Sequence, residues 1–190
     1  MLWTIPNLLT LLRVGLIPVL VVMYYLPING LYVASIFLLA GLTDWLDGYL
    51  ARTLAQTSKF GEFLDPVADK LMVVVVLVLL VSDEFLVSEL FGSQLFTVVV
   101  AIVIGREIAV SALREWMAEL GSRGKVAVGF VGKIKTTSQF IAISVLLMGP
   151  EVEGFPVLIC GELLFYVAGG LTLWSMVVYL KAAWPDLRDH

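Results

Sequence analysis

Six apolar stretches, at residues 7–25, 29–54, 60–82, 94–119, 133–149 and 155–181, follow one another with too little chain between them for a soluble core. A helix rises 1.5 Å per residue and needs about 20 residues to cross the roughly 30 Å hydrocarbon layer of a bilayer. Each stretch is of that order. In lipid every backbone N–H and C=O must find a partner inside the protein, which leaves helices or closed barrels, and the alternating strands of a barrel are missing here. The expected fold is all-α: a polytopic membrane protein of six transmembrane helices, forming a single domain over residues 1–190. Composition agrees, since 60% of the residues are hydrophobic and only 15% charged, against about 25% charged in an ordinary soluble domain.

Pro6-Asn7 and the segment Pro27 to Gly30 bracket the first stretch, Ser82-Asp83-Glu84 follows the third, and Gly149-Pro150 follows the fifth. The connections near 26–29, 82–93 and 149–155 contain no lysine or arginine. Arg52 and Lys59, Arg123 and Lys125, and Lys181 and Arg188 lie on the alternate side. Lysine and arginine in short loops mark the cytoplasmic side, so both termini are expected there. The first stretch lacks a basic leader and a cleavage site and contains Arg13, so it is expected to stay in the protein. Cys160 has no partner cysteine and is expected to pack, and His190 to be solvated. Nucleic acid is not an expected partner.

Four aspartates interrupt the second and third stretches: Asp44, Asp47, Asp65 and Asp69. Burying an ionised carboxylate in lipid costs several kcal/mol unless something neutralises it, so such acids point to a site. At 100° per residue, Asp44, Asp47, Gly48, Ala51 and Arg52 share one helix face, and Gly61, Asp65 and Asp69 share another. The short connection makes the two helices antiparallel neighbours, with both stripes on one cavity. Oxygen-only anionic ligands suit magnesium or manganese, and two divalent ions would cancel four carboxylates. Such ions can hold phosphate oxygens, which makes phosphoryl transfer a natural chemistry. Gly48 and Ala51 leave room for a ligand near the backbone or for close helix packing, and Arg52 offers a forked donor to phosphate or an anchor at the membrane edge. Spacing by itself does not separate a metal enzyme from an ion pathway, and a cation or proton transporter stays open at this point.

The pattern D-x2-D-G-x2-A-R-x8-G-x3-D-x3-D is matched at all eight specified positions by Asp44, Asp47, Gly48, Ala51, Arg52, Gly61, Asp65 and Asp69. It resembles the signature of the CDP-alcohol phosphotransferases. The resemblance implies a six-helix, usually dimeric enzyme with a dinuclear magnesium or manganese site. It also implies that Asp44, Asp47 and Asp65 bind metal, and that Asp69 is the general base with a share in the second metal. Asp44, Gly48, Ala51 and Arg52 would bind the CDP group. Residues 6–13 (PNLLTLLR), 65–70 (DPVADK), 105–116 (GREIAVSALREW) and 132–139 (GKIKTTSQ) are similar to the branch that makes phosphatidylglycerophosphate in bacteria.

That branch joins CDP-diacylglycerol to glycerol 3-phosphate, and the acceptor phosphate needs cations. Arg106, Arg114, Lys133 and Lys135 are the candidates, arginine giving directional contacts and lysine a movable point charge. Residues 133 and 135 lie about 200° apart on a helix, so one of them can face away. Glu107 and Glu115 offer internal ion pairs as the alternative use of these cations. Asn7, Thr10 and Arg13 form a polar stripe that the resemblance places in part at the substrate site. Its plainer reading is an N-cap at Asn7 and a snorkelling Arg13. The expected reaction forms phosphatidylglycerophosphate and CMP at the cytoplasmic face of the inner membrane, in a homodimer surrounded by membrane lipid. Inositol phosphate or serine as acceptor, and at greater distance a membrane prenyltransferase, are the other enzyme readings.

Overall fold

A computed structural model describes residues 4–53, 59–121, 124, 130–149 and 156–188. Among these the chain is all helical: α1 (Ile5–Tyr24), α2 (Gly30–Thr53), α3 (Lys59–Ser82), α4 (Glu84–Glu89), α5 (Ser93–Glu119), α6 (Phe130–Met148) and α7 (Val157–Arg188). Six of them coincide with the six apolar stretches to within a few residues, except that α7 continues to Arg188 rather than ending near 181. The short α4 lies where only a polar connection was expected. Asp83 starts it: its Oδ1 accepts from the backbone N–H of Leu86 at 3.0 Å, and the Tyr24 hydroxyl donates to its Oδ2 at 2.9 Å. The run that ends one helix thus caps the next.

Among the described residues, three helical segments are long and apolar enough to cross a membrane, Asn7–Tyr24, Ser93–Glu119 and Val157–Asp186, as befits a membrane protein. Gly30–Asp44 and Ile134–Met148 are shorter apolar segments. The apolar run of α3, which is one continuous helix, is interrupted near its start by Asp65, Asp69 and Lys70. The N-cap of α1 is Thr4, whose hydroxyl accepts from the Asn7 backbone N–H at 3.4 Å, so Asn7 lies inside the helix and is not its cap. Pro6 follows at the first turn, where its missing N–H costs nothing.

The helices gather into two compact units, Met1–Val87 with Ser144–Val157, and Ser88–Ile143 with Leu158–His190. In the first unit α1 packs along both α2 and α3, which touch each other much less among the described residues. Leu20, Ala34, Phe37, Ala40 and Val76 are buried there. A Cβ on Gly30 would stand 2.5 Å from the Leu147 carbonyl oxygen and 2.7 Å from that of Met148. Only glycine lets α2 begin so close to the end of α6. That end is a turn at Gly149, whose φ of 70° is in the left-handed region.

In the second unit α5 packs on α7. The Phe96 and Phe165 rings lie 5.2 Å apart, and Gly169 admits Val99, whose Cγ1 would be 2.7 Å from a Cβ there. Glu162, buried on α7, accepts from the backbone N–H groups of Phe91 and Gly92, both at 2.9 Å, and from the Tyr166 hydroxyl at 2.5 Å. A carboxylate at the start of α5 opposes the positive end of its helix dipole. Cys160 is exposed on α7, so it does not pack as expected.

Candidate active site

Within the first unit the aspartates of α2 and α3 meet through α1. The Arg13 side chain is only 2% exposed, and its guanidinium reaches three carboxylates. Nη1 donates to Asp44 Oδ1 at 3.0 Å and to Asp69 Oδ1, and Nη2 donates to Asp47 Oδ2 at 2.5 Å. One turn earlier, the Thr10 hydroxyl donates to Asp65 Oδ1 at 2.5 Å and lies 3.5 Å from Asp47 Oδ2. Asp47 is buried, whereas the Asp44 and Asp69 side chains are 48% and 44% exposed, so two of the carboxylates remain open to a ligand. The two aspartate stripes converge on the Arg13 guanidinium, with α1 packed against both helices: Asp44 of α2 and Asp69 of α3 share its Nη1. The plainer reading of Arg13 is thereby corrected. Arg13 does not snorkel to the membrane surface, because three carboxylates stabilise its charge inside the protein.

The spacing of three residues in Asn7, Thr10 and Arg13 was the signal for this contribution. Asn7 is buried as well.

Among the described residues, no three acidic, histidine or cysteine side chains stand together as a ready metal cage. A guanidinium lies among the carboxylates instead. The chemistry of the donor set still fits a hard divalent cation, since every charged ligand is a carboxylate oxygen. Three carboxylates share one guanidinium, and the fourth has a neutral hydroxyl against it, so the negative charge of the group exceeds what Arg13 supplies. Gly48, Ala51 and Arg52 lie in α2, with the side chains of Ala51 and Arg52 and the surroundings of Gly48 outside the described part of the structure.

In the second unit, cations gather around a carboxylate. Arg106 on α5 is buried; Nη1 donates to Glu107 Oε1 at 3.1 Å and Nη2 to Ser175 Oγ on α7 at 2.6 Å. Its Cζ lies 5.8 Å from the centroid of the Tyr179 ring, and its Nε is buried without a hydrogen-bond partner. Lys135 on α6, also buried, donates to the same Glu107 oxygen. The internal ion pairs weighed against phosphate binding are therefore present at Glu107. They satisfy only part of the group, because two cations share one carboxylate. Arg114 and Glu115 are exposed on α5 and take no part in this cluster, and the Lys133 side chain lies outside the described residues. Ser175 and Tyr179 were missed, since neither belongs to a charged or glycine-bearing motif.

An apolar helical protein that gathers three acids on one buried arginine, with a fourth on the neighbouring Thr10, carries a charged site among membrane-type helices. The family profile for CDP-alcohol phosphatidyltransferases matches residues 3–180. The chain is 53% identical over 187 residues to a CDP-diacylglycerol–glycerol-3-phosphate 3-phosphatidyltransferase of Pseudomonas fluorescens, covering 97% of this chain and 92% of the relative. It is 51% identical to the protein of that name from Salmonella choleraesuis (strain SC-B67) and 50% identical to that from Escherichia coli (strain K12). In both cases the match spans 190 residues and 99% of each chain. The chain belongs to the CDP-alcohol phosphatidyltransferase family.

Proposed function

We propose that the protein is a CDP-diacylglycerol–glycerol-3-phosphate phosphatidyltransferase, transferring the phosphatidyl group to glycerol 3-phosphate with release of CMP. The observation that carries this reading is about 50% identity along the whole chain to proteins named for that reaction. Residues 1–190 act as one catalytic domain with six membrane spans. The lysine and arginine bias of the loops supports an inner-membrane enzyme with its active site and both termini on the cytoplasmic side. The homodimer is carried by family resemblance.

Asp44, Asp47, Asp65 and Asp69 are the residues that would hold two divalent ions, magnesium or manganese. When bound, these ions supply positive charge against the diphosphate and the leaving phosphate. Asp44, Gly48, Ala51 and Arg52 bind the CDP group. Arg106 and Lys135 take the phosphate of the acceptor, because two buried cations on one carboxylate leave one positive charge for an anion. Lys133 is assigned to the same phosphate from sequence, and Arg114 is left out of the assignment because it is exposed on α5. Thr10 and Arg13 orient the carboxylates they touch.

Asp69 accepts the proton of the acceptor's primary hydroxyl. As that proton leaves, the oxygen attacks the β-phosphorus of CDP-diacylglycerol, the new P–O bond forms, and the bond to the bridging oxygen breaks to release CMP. A carboxylate is a weak base for an alcohol, so the proton leaves as the P–O bond forms and not before.

The test is CMP release from CDP-diacylglycerol by the purified protein in detergent with magnesium or manganese. Glycerol 3-phosphate, inositol phosphate, serine and no acceptor are compared. Metal-dependent release specific to glycerol 3-phosphate is expected. Release with another acceptor keeps the family and changes the substrate, whereas ion flux without CMP release from folded protein overturns the enzyme reading.

A further inference from the structure

None of the segments quoted for the family resemblance lies in α7, yet α7 fixes the orientation of Arg106. Ser175 is buried, and its hydroxyl hydrogen is committed to the Thr172 carbonyl at 2.9 Å. Its oxygen is therefore left to accept, and it accepts from Arg106 Nη2 at 2.6 Å. One helical turn later the Tyr179 ring lies under the guanidinium, 5.8 Å from Cζ, within the range of a cation–π contact. That ring is immobilised in turn: it is buried with Val110, Met117 and Ala183 in a cluster that joins α5 to α7. The guanidinium is thus held on its face by Tyr179, at Nη2 by Ser175 and at Nη1 by Glu107. Nε alone is buried without an acceptor. A buried donor without a partner is costly, and an anion arriving at the arginine would relieve that cost.

We propose that Ser175 and Tyr179 are positioning residues for the acceptor: they set the Arg106 guanidinium in the orientation that receives a phosphate monoester. This rests on the reading of Arg106 as the phosphate ligand. An arginine recognises phosphate through a planar fork, so its orientation decides the strength of the contact, whereas the same charge swinging freely forms it less often. Serine and tyrosine hold that plane without adding a charge that would compete with the phosphate.

The experiment uses the full-length protein in detergent and measures initial rates of CMP release at varied glycerol 3-phosphate and, separately, at varied CDP-diacylglycerol. Thermal melting confirms that each variant is folded. Tyr179→Leu removes the aromatic face and is expected to raise KM for glycerol 3-phosphate about tenfold, with much smaller changes in kcat and in KM for CDP-diacylglycerol. Tyr179→Phe keeps the face and is expected to restore KM to within about twofold of the wild-type value. Ser175→Ala, which removes one oxygen and leaves the fold the least disturbed, is expected to raise the same KM about fivefold. Equal rises in both KM values, a loss confined to kcat, or an unchanged KM in Ser175→Ala overturns the inference. Arg106→Ala separates it from the reading beneath it. A KM for glycerol 3-phosphate that rises in Arg106→Ala but not in the α7 variants sinks only the positioning role. A KM unmoved by Arg106→Ala sinks the acceptor assignment itself.

Discussion

The two charged groups of this protein are built with opposite signs. In the first unit one guanidinium, Arg13, is shared by Asp44, Asp47 and Asp69. In the second, one carboxylate, Glu107, is shared by Arg106 and Lys135. Each group is partly neutralised from within, which allows it to fold in an apolar protein, since an uncompensated buried charge costs several kcal/mol. Each also keeps an excess of one sign. The first group is left negative and suits cations, and the second is left positive and suits an anion. The lesson lies in the mismatch between charges and internal partners, because a fully balanced ion pair would have little remaining attraction for a ligand.

The largest effect that sharpens this contrast is expected at Asp69. Asp69→Asn removes the proposed proton acceptor and should lower the rate of CMP release about 10³-fold, while equilibrium binding of CDP-diacylglycerol persists. Undiminished turnover would take Asp69 out of the base role. Next is Arg13→Ala, which strips the internal cation from three carboxylates and should destabilise the folded protein by about 3 kcal/mol in metal-free buffer. Manganese should raise the melting temperature of this variant more than that of the wild type. An equal rise in both would break the view that Arg13 and the cations answer the same excess charge.

Glu107→Gln is the counterpart in the second unit. Loss of the shared carboxylate leaves Arg106 and Lys135 facing each other and should cost about 2 kcal/mol of stability, recovered in part by inorganic phosphate. If phosphate stabilises the variant no more than the wild type, the second group is not an anion site. The smallest effect is expected at Arg114, which is exposed on α5 and apart from the cluster. Arg114→Ala should change KM for glycerol 3-phosphate by less than about threefold, as an exposed charge is screened by solvent. A change as large as that of Arg106→Ala would return Arg114 to the binding group.

Much of this was legible in the chain itself. The apolar stretches determined six helices, because a backbone in lipid has few ways to satisfy its hydrogen bonds and the pattern of apolar residues shows where each helix runs. Only α4 escaped, since the Asp83 that ends one polar run also caps a single short turn, and a six-residue helix has no periodicity to display. The aspartates announced themselves because ionised groups among apolar residues are costly. The spacing also placed Asp44 with Asp47 and Asp65 with Asp69, which is a property of one helix at a time.

Tertiary structure decided which charges answer which. Arg13 lies 31 residues before Asp44 and 56 before Asp69 by residue number, and nothing in either local pattern shows that α1 packs against both α2 and α3 and carries the neutralising cation. The choice of Glu107 as the common partner of Arg106 and Lys135 was among the alternatives read from sequence, but the support from Ser175 and Tyr179 of α7 was not. A helix period fixes which side chains share a face, whereas the partner across that face is set by packing between distant segments, and an uncharged serine or tyrosine gives no sign of it in advance.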